Sequence, residues 1–465
     1  MKPSRALIED TIVAVATPPG EGGIGVVRLS GTKAFEVADA LFQSGSGARV
    51  SSQKGFTARY GRVVSENGAV VDEAVLLVMR APKSYTGEDT VEISAHGGSA
   101  VLQAIVGLAL GAGARLAQPG EFTKRAFLNG RIDLLQAEAV LDVIRAGTER
   151  SRGWAVSQLE GTLSKKMKEW KEELIGIASH LEASVDFPDD SPDTESLERT
   201  AERLLRLRGE LERILKDSEL VFLAKRGFSV ALCGRPNVGK SSLLNRLTRS
   251  DRVIVTPYPG TTRDVVEEQA TVAGIPVRFL DTAGMRDTEH PIEKEGVERS
   301  KKAMASADLV LLVLDSSQAL DAKDKELVGE LGEKPALVVL NKRDLPQKLD
   351  KDSLERALPK AWPVTDSSCV QEEGTQALEE AIASLLTQGV EVPEEALIST
   401  ARQKDLLEKI SKELSAAEKT CRQGLSPELV ASDVRQALGY LGEMVGEVFN
   451  EDILETLFKQ FCIGK

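Results

Sequence analysis

Between Ser229 and Asn245 the chain reads Ser229-Val-Ala-Leu-Cys-Gly-Arg-Pro-Asn-Val-Gly-Lys-Ser-Ser-Leu-Leu-Asn245, an apolar run that breaks into Gly234-x-x-x-x-Gly239-Lys240-Ser241 and then resumes at helical spacing. That order predicts strand, phosphate loop and helix. Glycines stand where backbone must come close to a polyphosphate, and amides at a helix N-terminus point at the anion. A lysine can reach the β- and γ-phosphates, and a hydroxyl can hold Mg²⁺. Nucleotide-binding candidates here are Gly234, Asn237, Val238, Gly239, Lys240, Ser241 and Ser242.

Three more stretches follow in the order such a site needs. Leu280-Asp281-Thr-Ala-Gly284 ends a predicted strand, so Asp281 can hold the Mg²⁺ shell while Thr282, Ala283 and Gly284 lie near the γ-phosphate. Asn341-Lys342-Arg343-Asp344 follows another apolar run. A carboxylate there can accept both N1–H and the exocyclic amine of guanine, and adenine has no such donor pair. The base read is therefore guanine. Between them, Thr256-Pro-Tyr-Pro-Gly-Thr-Thr-Arg-Asp264 is a Pro/Gly loop whose Thr261 and Thr262 suit closure over phosphate and Mg²⁺. Met285, after Gly284, cannot orient a water, which leaves Asp287, Glu289, Glu293 and Glu295 open as alternatives.

A chain of 465 residues should form several domains. From Thr11 to about Gly130, short strand-like runs such as Ala74 to Met79 and Thr90 to Ser94 alternate with Gly/Pro turns, which predicts an α+β domain. Ser84 to Asp89 and His96-Gly-Gly98 read as loops. After Gly130 the period becomes helical. Leu159, Leu163, Met167, Trp170, Leu174, Ile177 and Leu181 form one stripe, ended by Phe187-Pro-Asp-Asp-Ser-Pro192, and Leu204, Leu207, Leu211 and Ile214 form the next. Alternation of α and β then holds to about Leu386, after which Leu406 to Cys421 and Val434 to Val448 return to helical spacing. The expected architecture is a helical bundle contributed by both flanks of an inserted αβ domain. Its segments are 1–130, α+β; 131–226, first helical part; 227–388, inserted α/β P-loop domain; and 389–465, second helical part.

The net charge of −13 argues against a surface that grips nucleic acid unaided. Three scattered histidines make a His-rich zinc site a poor reading, and four scattered cysteines without a C-x-x-C pair give no disulfide framework. No signal peptide or membrane span is legible, so the expected compartment is the cytoplasm.

The motifs from about Gly227 to Gln388 resemble the translation-factor-related GTPases. By that likeness Ser368-Cys369 is the guanine-reading loop, with Cys369 where alanine is usual. Two further features carry a likeness along the whole chain. They are the terminal Phe461-Cys462-Ile463-Gly464-Lys465 and the N-terminal Ala16-Thr-Pro-Pro-Gly20, Gly22 to Gly31 and Pro119 to Asn129. Together with the inserted domain they resemble the MnmE (TrmE) family of tRNA modification GTPases.

The resemblance implies a homodimer with a folate-binding N-terminal domain, acting with the FAD-carrying protein MnmG (GidA). The pair would add an aminomethyl or carboxymethylaminomethyl group at C5 of the wobble uridine of certain tRNAs, with a tetrahydrofolate, the 5,10-methylene form, as one-carbon donor. It places folate contacts on Arg28, Glu92, Arg131 and Lys465, and a functional thiol at Cys462. Arg131 stands where relatives can carry lysine, which keeps the charge with a different geometry. It implies K⁺ activation, with Asn237, Thr256, Tyr258 and Thr261 as potassium ligands, Ser241 and Thr262 as Mg²⁺ ligands, and Glu293 as catalytic glutamate. The competing reading is an RNA-binding GTPase switch in ribosome assembly. That reading calls for an appended basic RNA-binding module, and the acidic flanks show none.

Overall fold

The computed structural model describes residues 10–45, 47–186, 196–249, 267–280, 303–332, 334–371, 374–387 and 398–465. The chain divides into two compact units. One comprises Met1–Leu141, Gln158–Gly209 and Asp405–Lys465, and the other Asp142–Ser157 and Glu210–Lys404. The helical segments 142–157 and 210–226 thus belong to the second unit.

In the first unit, β1 (Ile12–Val15), β2 (Gly22–Ser30), β3 (Phe42–Ser44), β4 (Thr57–Val64), β5 (Val70–Met79), β6 (Thr90–Gly97) and β7 (Arg115–Leu116) form a sheet in the order β3-β4-β5-β6-β2-β1-β7. Every neighbouring pair is antiparallel except β1 with β7. Alternation along the strands turns Val27, Leu29, Leu76, Val78, Val91 and Ile93 into one core under the helices Ala34–Leu41 and Ser99–Gly111. The same alternation puts Arg28 and Glu92 on the opposite face, directly across from each other in register.

Several local expectations change. His96 and Gly97 end β6 and Gly98 caps the following helix, so the predicted loop is strand and helix start. His96 is held there by Asp72, whose carboxylate accepts from the His96 backbone N–H at 2.8 Å and bonds its Nδ1 at 2.8 Å. Helix begins before Gly130, at Glu121–Leu128. The stripe from Leu159 to Leu181 is broken. Leu159 ends the helix Glu149–Leu159, Gly161 takes φ +90°, and a new helix runs Thr162–Asp186. Within that helix Leu163, Met167, Trp170, Leu174, Ile177 and Leu181 are buried, and the helix packs along Pro427–Val445. Val448 lies beyond that helix and is 66% exposed, because Gly446 at φ +82° stops it. The expected stop at 187–192 lies outside the described residues.

In the second unit, β8 (Phe228–Cys233), β9 (Glu267–Val272), β10 (Ile275–Leu280), β11 (Leu309–Asp315), β12 (Ala336–Asn341) and β13 (Val364–Asp366) form a sheet in the order β13-β12-β11-β8-β10-β9. The pairs are parallel except for the β9–β10 hairpin, whose Ala273 and Gly274 both have positive φ, as a two-residue turn requires. Strands β8, β11 and β12 are buried throughout and mostly apolar because both faces are covered. Val230, Leu311 and Val339 pack with Leu243, Leu247 and Ile382, while Ala231, Leu312 and Val338 pack with Met304, Leu331 and Leu354. An open sheet of this kind places ligands at the carboxyl ends of its strands, and β8, β11 and β12 bring Cys233, Asp315 and Asn341 there.

Candidate functional site

The loop after β8 folds as the sequence predicts, and its glycines are required by contact. Gly234 has φ +147° and an added Cβ would lie 2.4 Å from the Val313 carbonyl oxygen; Gly239 has φ +99° and its Cβ would lie 2.3 Å from Asn341 Nδ2. Asn237 adopts φ +65°, so the loop turns sharply with that side chain exposed, and Val238 is buried beneath it. The helix Lys240–Arg249 starts at the loop's end, with Ser241 and Ser242 exposed in its first turn. Lys240 Nζ donates to the carbonyls of Gly234 at 2.7 Å and Arg235 at 2.8 Å, which arches the lysine over the loop. Burial lowers the Lys240 pKa. Burial also pushes the Cys233 thiol up to about 12, against the pull of Lys240, which keeps it from reacting as a thiolate.

The segment after β12 is tied to this loop twice. Asn341 Nδ2 donates to the Val238 carbonyl at 2.9 Å, and Lys342 Nζ donates to the Asn237 carbonyl at 2.8 Å. Since a carbonyl only accepts, the Asn341 amide must present its oxygen the other way, where the Cys369 thiol donates to Oδ1 at 3.7 Å. Asp344 is exposed, and Ser368 Oγ donates to its Oδ1 at 2.7 Å. The Ser368 amide in turn donates to Gly374 at 2.9 Å, a close approach that a Cβ at Gly374 would block at 2.2 Å. The structure thus brings Gly234, Asn237, Val238, Gly239, Lys240, Asn341, Lys342, Asp344, Ser368 and Cys369 together at one edge of one sheet. Such an edge can offer amides and a lysine to phosphates and a carboxylate to a base. Thr256, Tyr258, Thr261, Thr262, Asp281, Thr282, Ala283, Gly284 and Glu293 lie outside the described residues.

The first unit carries a separate polar cluster. Arg28 Nε and Glu92 Oε1 pair at 2.7 Å, and Arg28 Nη1 donates to the Gly464 carbonyl at 3.3 Å. The guanidinium lies 5.3 Å from the Tyr85 ring centre and 5.5 Å from that of Phe122. Arg131 flanks the same Tyr85 ring at 5.2 Å and donates to its carbonyl at 3.0 Å. The tail is drawn in by the Phe122 amide donating to the Lys465 carbonyl oxygen at 3.2 Å. Gly464, at φ +99°, passes so close to β1 that a Cβ would sit 2.2 Å from the Val15 carbonyl oxygen. Burial, then the nearby Arg28, lower the Lys465 pKa. Arg28, Glu92, Arg131 and Lys465, up to 437 positions apart in sequence, therefore share one locale with the exposed Cys462 two residues before Gly464. Mixed donors, an acceptor and aromatic faces can bind a flat polar heterocycle with an acidic tail.

Sequence reasoning missed several residues. Asp315 pairs with Lys342 at 2.6 Å while only 2% exposed. Arg235 is held by Asp321 and Asp324 at 3.0 and 2.8 Å. Tyr85, the ring between two arginines, stands in a segment whose sequence predicts only a loop. Arg125, fully buried, is caged by Asp10, Glu88 and Glu121 at 2.6, 3.2 and 3.0 Å. Only Asp315 left a signal, as an acidic residue closing an otherwise apolar strand.

Two family models match the chain. "GTP-binding protein TrmE N-terminus" covers residues 11–131 and "MnmE helical domain" covers 134–462. The "tRNA modification GTPase MnmE" of Geobacillus kaustophilus is 44% identical over 463 residues, 98% of this chain and 99% of its own length. Proteins of the same description from Symbiobacterium thermophilum and Alkaliphilus oremlandii are 45% and 42% identical, each over 98% of this chain and 100% of their own length.

Proposed function

The chain belongs to the MnmE family of tRNA modification GTPases, a GTP hydrolase involved in tRNA modification, and from that premise we propose a potassium-activated enzyme that works with a folate and a flavoprotein on the wobble uridine. What supports the GTP-binding part is the pair of ties from Asn341 to Val238 and from Lys342 to Asn237, which register the base-reading segment on the phosphate loop.

In this reading the loop amides and Lys240 bind the polyphosphate, and Asp344 accepts from guanine while the Ser368-Cys369 backbone faces its oxygen. Ser241 and Thr262 would hold Mg²⁺, and Asp281 would support them in doing so. The exposed Asn237 offers its side-chain oxygen to K⁺, and Thr256, Tyr258 and Thr261 complete that set. The bound cations offset charge that develops on the transferred phosphoryl group. Glu293 orients the attacking water through a second water, since Met285 cannot.

The polar cluster on β2 and β6 is suited to a tetrahydrofolate. Arg28, Arg131 and Lys465 provide cationic donors, Glu92 provides an acceptor for a pterin edge, and Cys462 stands in reach as the working thiol. The 5,10-methylene form supplies the one-carbon unit, and FAD comes with MnmG. We place the folate and dimer functions in 1–130, the GTPase in 227–388, and the helical domain in 131–226 and 389–465, in a cytoplasmic homodimer. Among the described residues no helix is long and apolar enough to cross a membrane.

GTP turnover in matched K⁺ and Na⁺ buffers tests the cation reading. Turnover should rise strongly in K⁺, and Asn237→Ala should abolish that preference. Equal wild-type rates in the two salts reject it.

A further inference from the structure

Asp315 closes β11 and sits opposite Asn341 in the parallel register of β12. Its side chain is nearly sealed from solvent, and it is tied to the nucleotide site through Lys342. Oδ2 takes the Lys342 ammonium at 2.6 Å, and Gln318 Nε2 donates to the same oxygen at 3.3 Å. Oδ1 is filled by the Ser317 amide at 3.0 Å and the Ser317 hydroxyl at 2.6 Å. The carboxylate itself is the buried partner, so rotating it away would leave its own charge sealed from water with those bonds unmade. Lys342 itself is in the left-handed region at φ +63°, which aims its side chain back across the sheet edge. Its Nζ then reaches the carbonyl of Asn237, a second non-glycine residue with positive φ, at +65°.

We infer that Asp315 is a positioning residue for the nucleotide site: through Lys342 it fixes the backbone of Asn237, so that the base-reading segment and the phosphate-loop turn are set as one piece. A free lysine samples many rotamers, and a buried carboxylate removes that freedom before ligand arrives. Without the carboxylate, Lys342 loses its anchor, and Asn237 loses the bond that holds a non-glycine residue in a sparsely populated conformation. This inference rests on the GTP-binding reading and adds the residue that pre-organises it.

The test is a double-mutant cycle on the full chain, read by titration with fluorescent GDP and by the K⁺ concentration for half-maximal GTP turnover. Asp315→Asn should weaken GDP binding about tenfold or more, because the half-buried Lys342 ammonium loses the carboxylate that holds it. Lys342→Ala should weaken it to a similar degree, and the double variant Asp315→Asn/Lys342→Ala should be no weaker than Lys342→Ala alone. The double variant should also melt above Lys342→Ala, since it no longer buries an unpaired carboxylate. Ser317→Ala, a milder change, should weaken GDP binding about threefold by loosening Oδ1. The half-maximal K⁺ concentration should rise in Asp315→Asn. Losses that multiply in the double variant, or Asp315→Asn and Ser317→Ala both binding GDP as the wild type does, overturn the inference. A wild-type protein that binds no guanine nucleotide would instead refute the GTP-binding reading itself.

Discussion

Replacing Gly239 with alanine puts the nucleotide-site geometry under its sharpest strain. The residue sits at φ +99°, where an L side chain is unfavourable by roughly 1–2 kcal/mol. Its new Cβ would lie 2.3 Å from Asn341 Nδ2. The Asn341 side chain is not a loose end that can swing aside. It is 2% exposed, donates to the Val238 carbonyl at 2.9 Å, and accepts from the Cys369 thiol. Yielding to the Cβ therefore breaks the Val238 bond and strands a buried carbonyl, at about 1–3 kcal/mol. The two effects together amount to about 2–5 kcal/mol. The loop can relax when no nucleotide is present, so most of this penalty should fall on binding rather than on folding. The lower end corresponds to roughly a 30-fold rise in Kd. Titration with fluorescent GDP, beside a thermal melt, measures both. Gly239→Ala binding GDP within about threefold of wild type, with an unchanged melt, would refute the claim that backbone at 239 and the Asn341 amide must meet.

Two further outcomes follow from the first unit. Gly464→Ala should lower affinity for a tetrahydrofolate by an order of magnitude or more while leaving GDP affinity unchanged, because a Cβ 2.2 Å from the Val15 carbonyl oxygen pushes Lys465 away from Arg28; equilibrium binding of each ligand separates the two, and unaltered folate affinity contradicts the tail's role. Glu121→Gln should flatten the acid limb of the stability curve. Burial pushes the Glu121 carboxyl up, but hydrogen bonds from Arg115, the Gln118 amide and Arg125 outweigh it and leave the folded-state pKa below 4.5. Its stabilisation is thus present above about pH 4.5 and is lost as pH falls through the lower folded value. Melting temperatures between pH 3 and 6 should fall less steeply in Glu121→Gln than in wild type, and identical slopes would count against the cage around Arg125.

What the sequence made legible was whatever local backbone chemistry forces. Gly234 and Gly239 announce the phosphate loop because no other residue fits there, and Asn341 to Asp344 stand out because polar residues abruptly follow an apolar strand. Pairing of distant segments left no such mark. The parallel pairing of β1 with β7, and the meeting of Arg28 with Lys465, depend on the order of strands in the sheet, which no local pattern encodes. Strand β4 is hard to read because its inward-facing side carries Arg59 and its exposed positions carry Ala58 and Tyr60 beside Arg62, which hides the alternation. The helix stripe ran through Leu159 because apolar spacing continued by chance across Gly161, whose φ of +90° ends one helix and starts another. Asp315 read as a strand end, since its partner Lys342 is 27 residues away.

The central claim is that guanine-nucleotide binding at the edge of β8, β11 and β12 serves chemistry on tRNA. Mass spectrometry of nucleosides from tRNA of a strain lacking this protein tests it most directly. The C5-substituted wobble uridines should be missing, return when the wild-type chain is supplied, and stay missing with Gly239→Ala. Wobble uridines that remain fully substituted in the strain without the protein would contradict the account.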